Sequence, residues 1–131
     1  MCIFCMIING EIPSYKVYED NDFLAFLDIS QAEKGHTLVV PKKHFDNLLE
    51  LDDELASKML VLIKKLAIKV QKATNCDGIN ILNNNGEAAG QSVKHLHFHI
   101  IPRYNNDDLE IKFTEHATSK EEFNELVELI K

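Results

Sequence analysis

The chain has 131 residues, of which 45% are hydrophobic and 27% are charged, a balance typical of one globular domain. Its 14 Lys and Arg residues against 21 Asp and Glu residues give a net charge of −7, the wrong sign for a protein that binds a nucleic-acid backbone. No apolar run approaches the roughly 20 residues that a membrane span requires, and the N-terminus lacks the features of a secretory signal. We therefore expect a cytoplasmic protein with neither a membrane nor a nucleic-acid partner.

The first third of the chain is expected to form a short helical segment followed by strands. Alternating and β-branched residues between clusters of turn residues indicate the strands. The expected elements are the helical segment over residues 3–10 and strands over residues 15–19, 23–28 and 36–40.

A long helix is predicted over residues 53–72, because apolar residues recur there at spacings of three and four. This stripe consists of Leu55, Met59, Leu62, Leu66 and Val70. Strands are expected over residues 78–82 and 94–101, and Ser119 with Glu122 forms a capping-box sequence ahead of a final amphipathic helix. The sequence thus predicts an α+β fold, with a mainly antiparallel sheet of about five strands and one long helix across it.

Three histidines alternate with apolar residues in the last predicted strand. Side chains of a strand point to opposite faces in turn, so His95, His97 and His99 are expected on one face and Leu96 and Phe98 on the other. The row of imidazoles has three interpretations: a surface cluster, a metal site, or a site that acts on phosphate. The polar, glycine-containing loop before the strand, residues 83–92, favours phosphate, because its glycines permit close backbone approach and its amides can hydrogen-bond an anion.

The motif His95-Leu96-His97-Phe98-His99-Ile100-Ile101, preceded by Gly90-Gln91-Ser92-Val93, resembles the histidine-triad nucleotide-binding proteins. The resemblance extends upstream through the segments 36–44 and 26–30 to the segments 11–13 and 3–5. It covers about residues 2–103, a motif-matched core within a single domain of residues 2–131, and it leaves residues 104–131 as a C-terminal extension with a helix. It implies the half-barrel fold of that family.

The resemblance also implies catalytic roles. His97 matches the nucleophile, which attacks the α-phosphorus of a nucleotide and carries a nucleotidyl-imidazole intermediate until water displaces it. His99 would contact phosphate oxygens, and Ser92 would help to protonate the leaving atom. His36 would support the arrangement of these groups without itself contacting the phosphate.

The nucleotide-binding positions follow from the same resemblance. Phe4, Ile7, Phe26 and Ile29 match an apolar cleft for the base, and Asp28 matches the carboxylate that hydrogen-bonds the ribose. The positions assigned to the phosphate end are Asn84, Gly90, Gln91, Ser92, Val93, His97 and His99. Without the resemblance, the apolar residues of this set are more simply read as core.

Cys2 and Cys5 form a C-x-x-C pair, which by itself fits a redox pair, two incidental thiols or part of a metal site. Similarity to bacterial histidine-triad proteins, and to the more distant galactose-1-phosphate uridylyltransferases, adds His44 and His95 as ligands. Together these four residues would hold one structural zinc ion per chain.

The implied activity is hydrolysis of purine nucleoside phosphoramidates or related adenylates, with AMP or an AMP conjugate as the bound nucleotide. Cleavage of dinucleoside polyphosphates is an alternative, and a nucleotide-binding scaffold with vestigial catalysis is another. The resemblance also implies a homodimer, for which Leu60, Ile63, Ala67 and Ile68 of the long helix offer apolar surface outside the main stripe.

Overall fold

The computed structural model describes residues 2–131 and contains one five-stranded antiparallel sheet. The strands are β1 (Lys16–Glu19), β2 (Phe23–Leu27), β3 (Thr37–Pro41), β4 (Gly78–Asn83) and β5 (Phe98–Arg103), and their order in the sheet is β1-β2-β3-β5-β4. The helices are α1 (Ile3–Ile8), α2 (Asp53–Thr74) and α3 (Lys120–Ile130). The predicted α+β architecture with about five antiparallel strands is confirmed.

Side chains alternate across the sheet and form a hydrophobic core on each face. On one face, α2 packs Met59, Ile63 and Leu66 against residues of the sheet such as Val39 and Ile100. On the other face, α1 supplies the residues that cover the sheet. That second core consists of Phe4, Ile7, Leu24, Phe26, Leu38 and Val40. The two helices therefore enclose the strands that lead to the histidines.

Helix α2 begins and ends with recognisable caps. Asp52 accepts a hydrogen bond from the Leu55 backbone N–H at 2.9 Å, and Asn75 ends the helix in the left-handed conformation with φ of 53°. The helix is two residues longer than predicted. Ile63, which the sequence suggested as extra surface, is fully buried in the core, whereas Leu60 and Ile68 are 63% and 43% exposed.

The strand predicted over residues 94–101 lies later in the chain, and this part of the prediction is wrong. Strand β5 begins only at Phe98, where its pairing with Asn83 of β4 and Val39 of β3 starts. The backbone before Phe98 is hydrogen-bonded to the loop that follows β3: Leu96 N–H donates to the Phe45 carbonyl at 2.7 Å. The predicted alternation nevertheless holds, since Leu96 is buried in the core under α2.

The C-terminal helix α3 starts with the predicted capping box. The Ser119 hydroxyl accepts from the Glu122 N–H at 3.2 Å, and the Glu122 carboxylate accepts from the Ser119 N–H at 3.1 Å. All residues of α3 are exposed, including its apolar side chains. Across residues 2–131, no helix has both the length and the apolar character that crossing a membrane demands.

Candidate active site and metal centre

His97 is almost fully buried and has one ring nitrogen fixed. Its Nδ1 lies 2.8 Å from the backbone carbonyl of His95, and the ring packs edge-on against Phe4 at 5.1 Å between centroids. A carbonyl oxygen can only accept, so Nδ1 carries the hydrogen and donates it. The Nε2 atom has no hydrogen-bond partner in the described part of the chain and presents a lone pair. This is the form in which an imidazole acts as a nucleophile.

His99 lies beside His97, with ring centroids 5.1 Å apart. Its Nδ1 is 2.8 Å from Nε2 of His36, whose ring lies 3.6 Å from the Asp28 carboxylate. Burial, together with the neighbouring His97 and His36, lowers the pKa of His99 to about 4. At neutral pH, His99 is therefore an uncharged imidazole.

The loop between β4 and the histidines is held by side-chain amides. Gln91 accepts from the Gly86 N–H at 2.8 Å and donates to the carbonyls of Asp46 and Val93 at 2.6 and 3.0 Å. Asn84 donates to the Gly90 carbonyl at 3.4 Å. The Gln91 amide is thus engaged at both ends within the protein, so it braces the loop from inside.

The residues expected around the nucleoside divide into buried and exposed positions. Phe4, Ile7 and Phe26 are buried together in the core under α1, with the Phe4 and Phe26 rings 5.6 Å apart. Ile29 is 87% exposed. Asp28 lies between them in sequence and is half-buried, and its carboxylate accepts from the Ser30 N–H at 2.8 Å. The contacts of the Asp28 carboxylate are thus with the Ser30 N–H and the His36 ring.

Four potential metal ligands meet beside the histidine row. The ligand atoms of Cys2, Cys5, His44 and His95 all lie within 4.8 Å of one another. Individual separations are 3.4 Å for Cys2 Sγ to His95 Nδ1, 3.3 Å for Cys5 Sγ to His44 Nδ1 and 3.1 Å between the two Nδ1 atoms. Tetrahedral zinc with two sulfur and two nitrogen ligands has ligand–ligand edges of about 3.3 to 3.8 Å, close to these values.

The hydrogen bonds of His44 and His95 are better explained by a bound cation than by a metal-free cluster. Nε2 of His95 donates to the Pro41 carbonyl at 2.8 Å, and Nε2 of His44 donates to the Asp46 carboxylate at 2.9 Å. Both Nδ1 atoms therefore present lone pairs to each other, an arrangement that a bound cation relieves. Burial and the adjacent Cys2 raise the pKa of Cys5. Two thiolates at this position would therefore need a nearby positive charge, which a bound cation would supply.

Several residues of the site were not found from the sequence. Asp46 orients His44, and Asn83 donates to the His97 carbonyl at 3.0 Å. Gln31 bridges the loop before His36. A carboxylate two residues after a candidate histidine ligand was a usable signal for Asp46, whereas Asn83 and Gln31 act on backbone atoms whose positions only the fold determines.

A row of imidazoles at the start of a central strand in an antiparallel sheet defines the histidine-triad class. Residues 9–106 match the family model described as the HIT domain, and the chain belongs to that family. A HIT-like protein of Methanocaldococcus jannaschii is 56% identical over 115 residues, which cover 88% of each chain. The crystal structure of a HIT family member from Bacillus subtilis superposes with a TM-score of 0.93 at 50% identity and covers 98% of this chain and 94% of that one.

Some relatives have names that state an activity or a ligand. The adenosine 5'-monophosphoramidase hnt1 of Schizosaccharomyces pombe is 45% identical over 130 residues, covering 98% of this chain and 95% of its own. The adenylylsulfatase HINT3 of Arabidopsis thaliana is 43% identical over 108 residues, which are 82% of this chain and 55% of that protein. A zinc-bound histidine triad protein of Mycobacterium smegmatis is 38% identical with a TM-score of 0.79, covering 88% of this chain and 84% of that one.

Proposed function

We propose that the protein hydrolyses AMP conjugates at the α-phosphate, with His97 as the nucleophile. The observation that carries this proposal is the fixed ring of His97, whose Nδ1 is held by the His95 carbonyl, while its Nε2, next to His99, has no partner among residues 2–131. An imidazole that is buried only for packing does not require an Nε2 atom that is free of hydrogen bonds next to the similarly free Nε2 of a second imidazole. The relatives named for AMP phosphoramidate and adenylyl sulfate cleavage support the same reaction class.

The reaction would proceed in two displacements. The Nε2 lone pair of His97 attacks the α-phosphorus, and the bond from phosphorus to the leaving group breaks. The leaving group keeps that electron pair and takes a proton, for which the exposed Ser92 hydroxyl is the proposed relay. Water then attacks the phosphorus, the phosphorus–nitrogen bond breaks with its electron pair returning to His97 Nε2, and the proton that the water loses replaces the one given to the leaving group. AMP and the neutral His97 ring are released. Splitting one difficult substitution into two is the usual advantage of a covalent intermediate.

We assign the nucleoside to the surface formed by Phe4, Ile7, Phe26 and Ile29, with the Asp28 carboxylate accepting from the ribose hydroxyls. Exposed Ile29 and the edges of the buried rings would then enclose the base, and purines offer the larger apolar face. The phosphate end would be bound by His99 and by the loop that contains Asn84, Gly90, Gln91, Ser92 and Val93. In this assignment, Gln91 acts through the loop conformation that it maintains.

We further propose that Cys2, Cys5, His44 and His95 hold one zinc ion. Four protein ligands would leave no open position for water, so the ion would supply structural stability and take no part in the displacement. Its effect on catalysis would pass through His95, whose carbonyl accepts the hydrogen bond from His97.

A homodimer of a single 131-residue domain in the cytoplasm completes the proposal. The surface that supports it lies between α2 and the edge strand β4, where apolar side chains form an open groove lined by Leu60, Ile63, Lys64, Ala67, Ile68, Gln71, Ile79 and Ile81. Within the described residues, strand β4 has a neighbour on one side only, and an unpaired edge beside apolar residues is typical of a surface that a second subunit covers.

The test is a side-by-side measurement of kcat/KM on adenosine 5'-phosphoramidate, adenylyl sulfate and diadenosine triphosphate. We expect the first two to be cleaved to AMP and the third to be at least tenfold poorer. A preference for diadenosine triphosphate would instead make the protein a dinucleoside polyphosphate hydrolase. Tight AMP binding with no turnover of any of the three would make it a nucleotide-binding scaffold.

A further inference from the structure

The loop between β2 and β3 is closed by one glutamine side chain. Gln31 Nε2 donates to the carbonyls of Asp28 and His36 at 2.6 and 2.7 Å, and its Oε1 accepts from the Gly35 N–H at 2.7 Å. Gly35 has a φ of +107°, and an added Cβ would come within 2.9 Å of Thr74. Two backbone hydrogen bonds also cross the loop, from Asp28 N–H to the His36 carbonyl and from His36 N–H to the Glu33 carbonyl, each at 3.0 Å. The glutamine adds three side-chain hydrogen bonds to these, and the glycine permits the backbone conformation.

The closed loop brings a backbone donor to His36. The Ala32 N–H donates to His36 Nδ1 at 3.1 Å. Since a backbone N–H can only donate, Nδ1 of His36 must be the bare, accepting nitrogen. The ring hydrogen of neutral His36 is therefore on Nε2, the atom that faces His99 and lies 3.6 Å from the Asp28 carboxylate.

The tautomer of His36 determines the tautomer of His99. His36 Nε2–H donates to His99 Nδ1 at 2.8 Å, so the hydrogen of neutral His99 is on its own Nε2. That Nε2 has no partner among residues 2–131. His97 has the opposite arrangement, with hydrogen on Nδ1 and a lone pair on Nε2. Two adjacent imidazoles thus present one lone pair and one N–H to the same region.

We propose that Gln31 is a positioning residue: by closing the loop it sets the tautomer of His36, and through His36 it fixes His99 as an Nε2–H donor to the phosphate. With the tautomer of His99 reversed, a lone pair would face the anionic oxygen, and a stabilising contact would become a repulsive one. Gln31 touches neither substrate nor the reacting atoms, so its effect passes entirely through His36. The assignment of phosphate as the target of His99 rests on the proposed function, whereas the tautomer chain does not.

The chain of tautomers is tested directly by ¹⁵N NMR of the histidine rings at pH 7.5, where bare and protonated ring nitrogens resonate far apart. In the wild-type protein we expect a bare Nδ1 and a protonated Nε2 for both His36 and His99, assigned by the signals lost in His36→Gln and His99→Gln. Gln31→Ala should give averaged signals for both rings. Asn124→Ala, which removes an amide side chain from the exposed helix α3, should leave them unchanged.

An isosteric variant keeps the test independent of folding defects. Gln31→Glu retains the acceptor for the Gly35 N–H but turns a carboxylate oxygen towards two carbonyls, so it should also open the loop. A wild-type His99 with hydrogen on Nδ1, or a single Nε2–H form that persists in both folded Gln31 variants, would overturn the proposal.

Activity gives a second readout. Kinetics on adenosine 5'-phosphoramidate should show kcat about tenfold lower in Gln31→Ala, with KM changed less than threefold, because the donor acts mainly on charge that develops in the transition state. Averaged tautomers with unchanged kcat would overturn the catalytic part of the proposal. If wild-type protein cleaves no AMP conjugate while its rings show the expected tautomers, the proposed function fails and the tautomer chain stands.

Discussion

The ring of His97 and the backbone of His95 are joined by a hydrogen bond of 2.8 Å, and the ring of His95 is one of the four potential metal ligands. One residue therefore contacts both centres, with its carbonyl oxygen on the proposed nucleophile and its Nδ1 facing the cysteines. A metal ion bound at this site would therefore restrain His97 through one residue, His95.

Replacement of His97 by glutamine should abolish turnover, since the amide cannot form the phosphorus–nitrogen bond. We expect kcat to fall at least about a thousandfold, while the dissociation constant for AMP changes less than tenfold because the apolar surface remains. Burst-phase kinetics with a labelled AMP conjugate checks the covalent step. His116→Gln, at an exposed histidine in the C-terminal segment, is the matched control and should behave as wild type. A labelled nucleotide trapped on His99 would contradict the assignment.

Purified protein is expected to contain about one zinc ion per chain. Chelation, or Cys5→Ser, should lower the melting temperature by more than about 10 °C, because the binding free energy of a structural zinc is also folding free energy. Elemental analysis and thermal unfolding measure the two effects, with Cys76→Ser as the control for loss of a thiol elsewhere. Metal-free protein that melts at the same temperature as the zinc-loaded form would refute the site.

Mild acid should destabilise the protein through His99. The pKa of His99 in the folded protein is about 4, below the ordinary value of 6.5. At a pH between these two values, His99 binds a proton in the unfolded chain but not in the folded protein. The free energy of unfolding should therefore fall as the pH drops from about 6.5 towards 4, with no contribution from this group above pH 7.

Urea unfolding across that range, compared between wild type and His99→Asn, isolates the contribution. A third curve, for His36→Asn, separates the titration of His36, whose pKa burial also lowers and whose Nε2 lies 2.8 Å from His99 Nδ1. The His99→Asn variant should show a shallower dependence on pH. Parallel curves would mean that His99 titrates normally in the folded state.

Gln91→Glu should be more damaging than Gln91→Ala, although it is the closer match in shape. The glutamate would place an oxygen where the amide nitrogen now donates to the Asp46 and Val93 carbonyls, whereas alanine leaves space that water can fill. We expect about 1–3 kcal/mol lower stability for the glutamate variant and a raised KM for nucleotide in both. Equal urea midpoints for the two variants would show that the Gln91 amide does not hold the loop.

The sequence predicted about five antiparallel strands, the long helix and the face on which the histidines lie, but it did not predict the order of the strands in the sheet. Those features follow from hydrophobic periodicity, which survives errors in element boundaries: the triad segment alternates as predicted even though β5 starts only at Phe98. The boundary was missed because the pairing of β5 with β3 stops at Val39 and β4 ends at Asn83, and no local signal in residues 94–97 records where this pairing stops.

The polar contacts that fix the rings were beyond the sequence. Gln31 and Gln91 each bond backbone groups of a loop with their side-chain amides, and such bonds depend on loop conformations that single-residue preferences do not specify. Ile63 was misassigned for a related reason: helical spacing identifies a stripe, but the width of the buried face is set by how deeply the helix sits on the sheet.

Phe4 gives the N-terminus an importance that its position in the chain conceals. Its ring lies 5.9 Å from that of His95 and 5.1 Å from that of His97, and it follows by two residues Cys2, which caps α1. The opening residues are therefore a wall of the candidate site, whereas α3 at the other end is exposed along its whole length. An affinity tag or fusion partner placed before Cys2 would crowd the four potential metal ligands, and one attached after Lys131 would leave the histidine row as it stands.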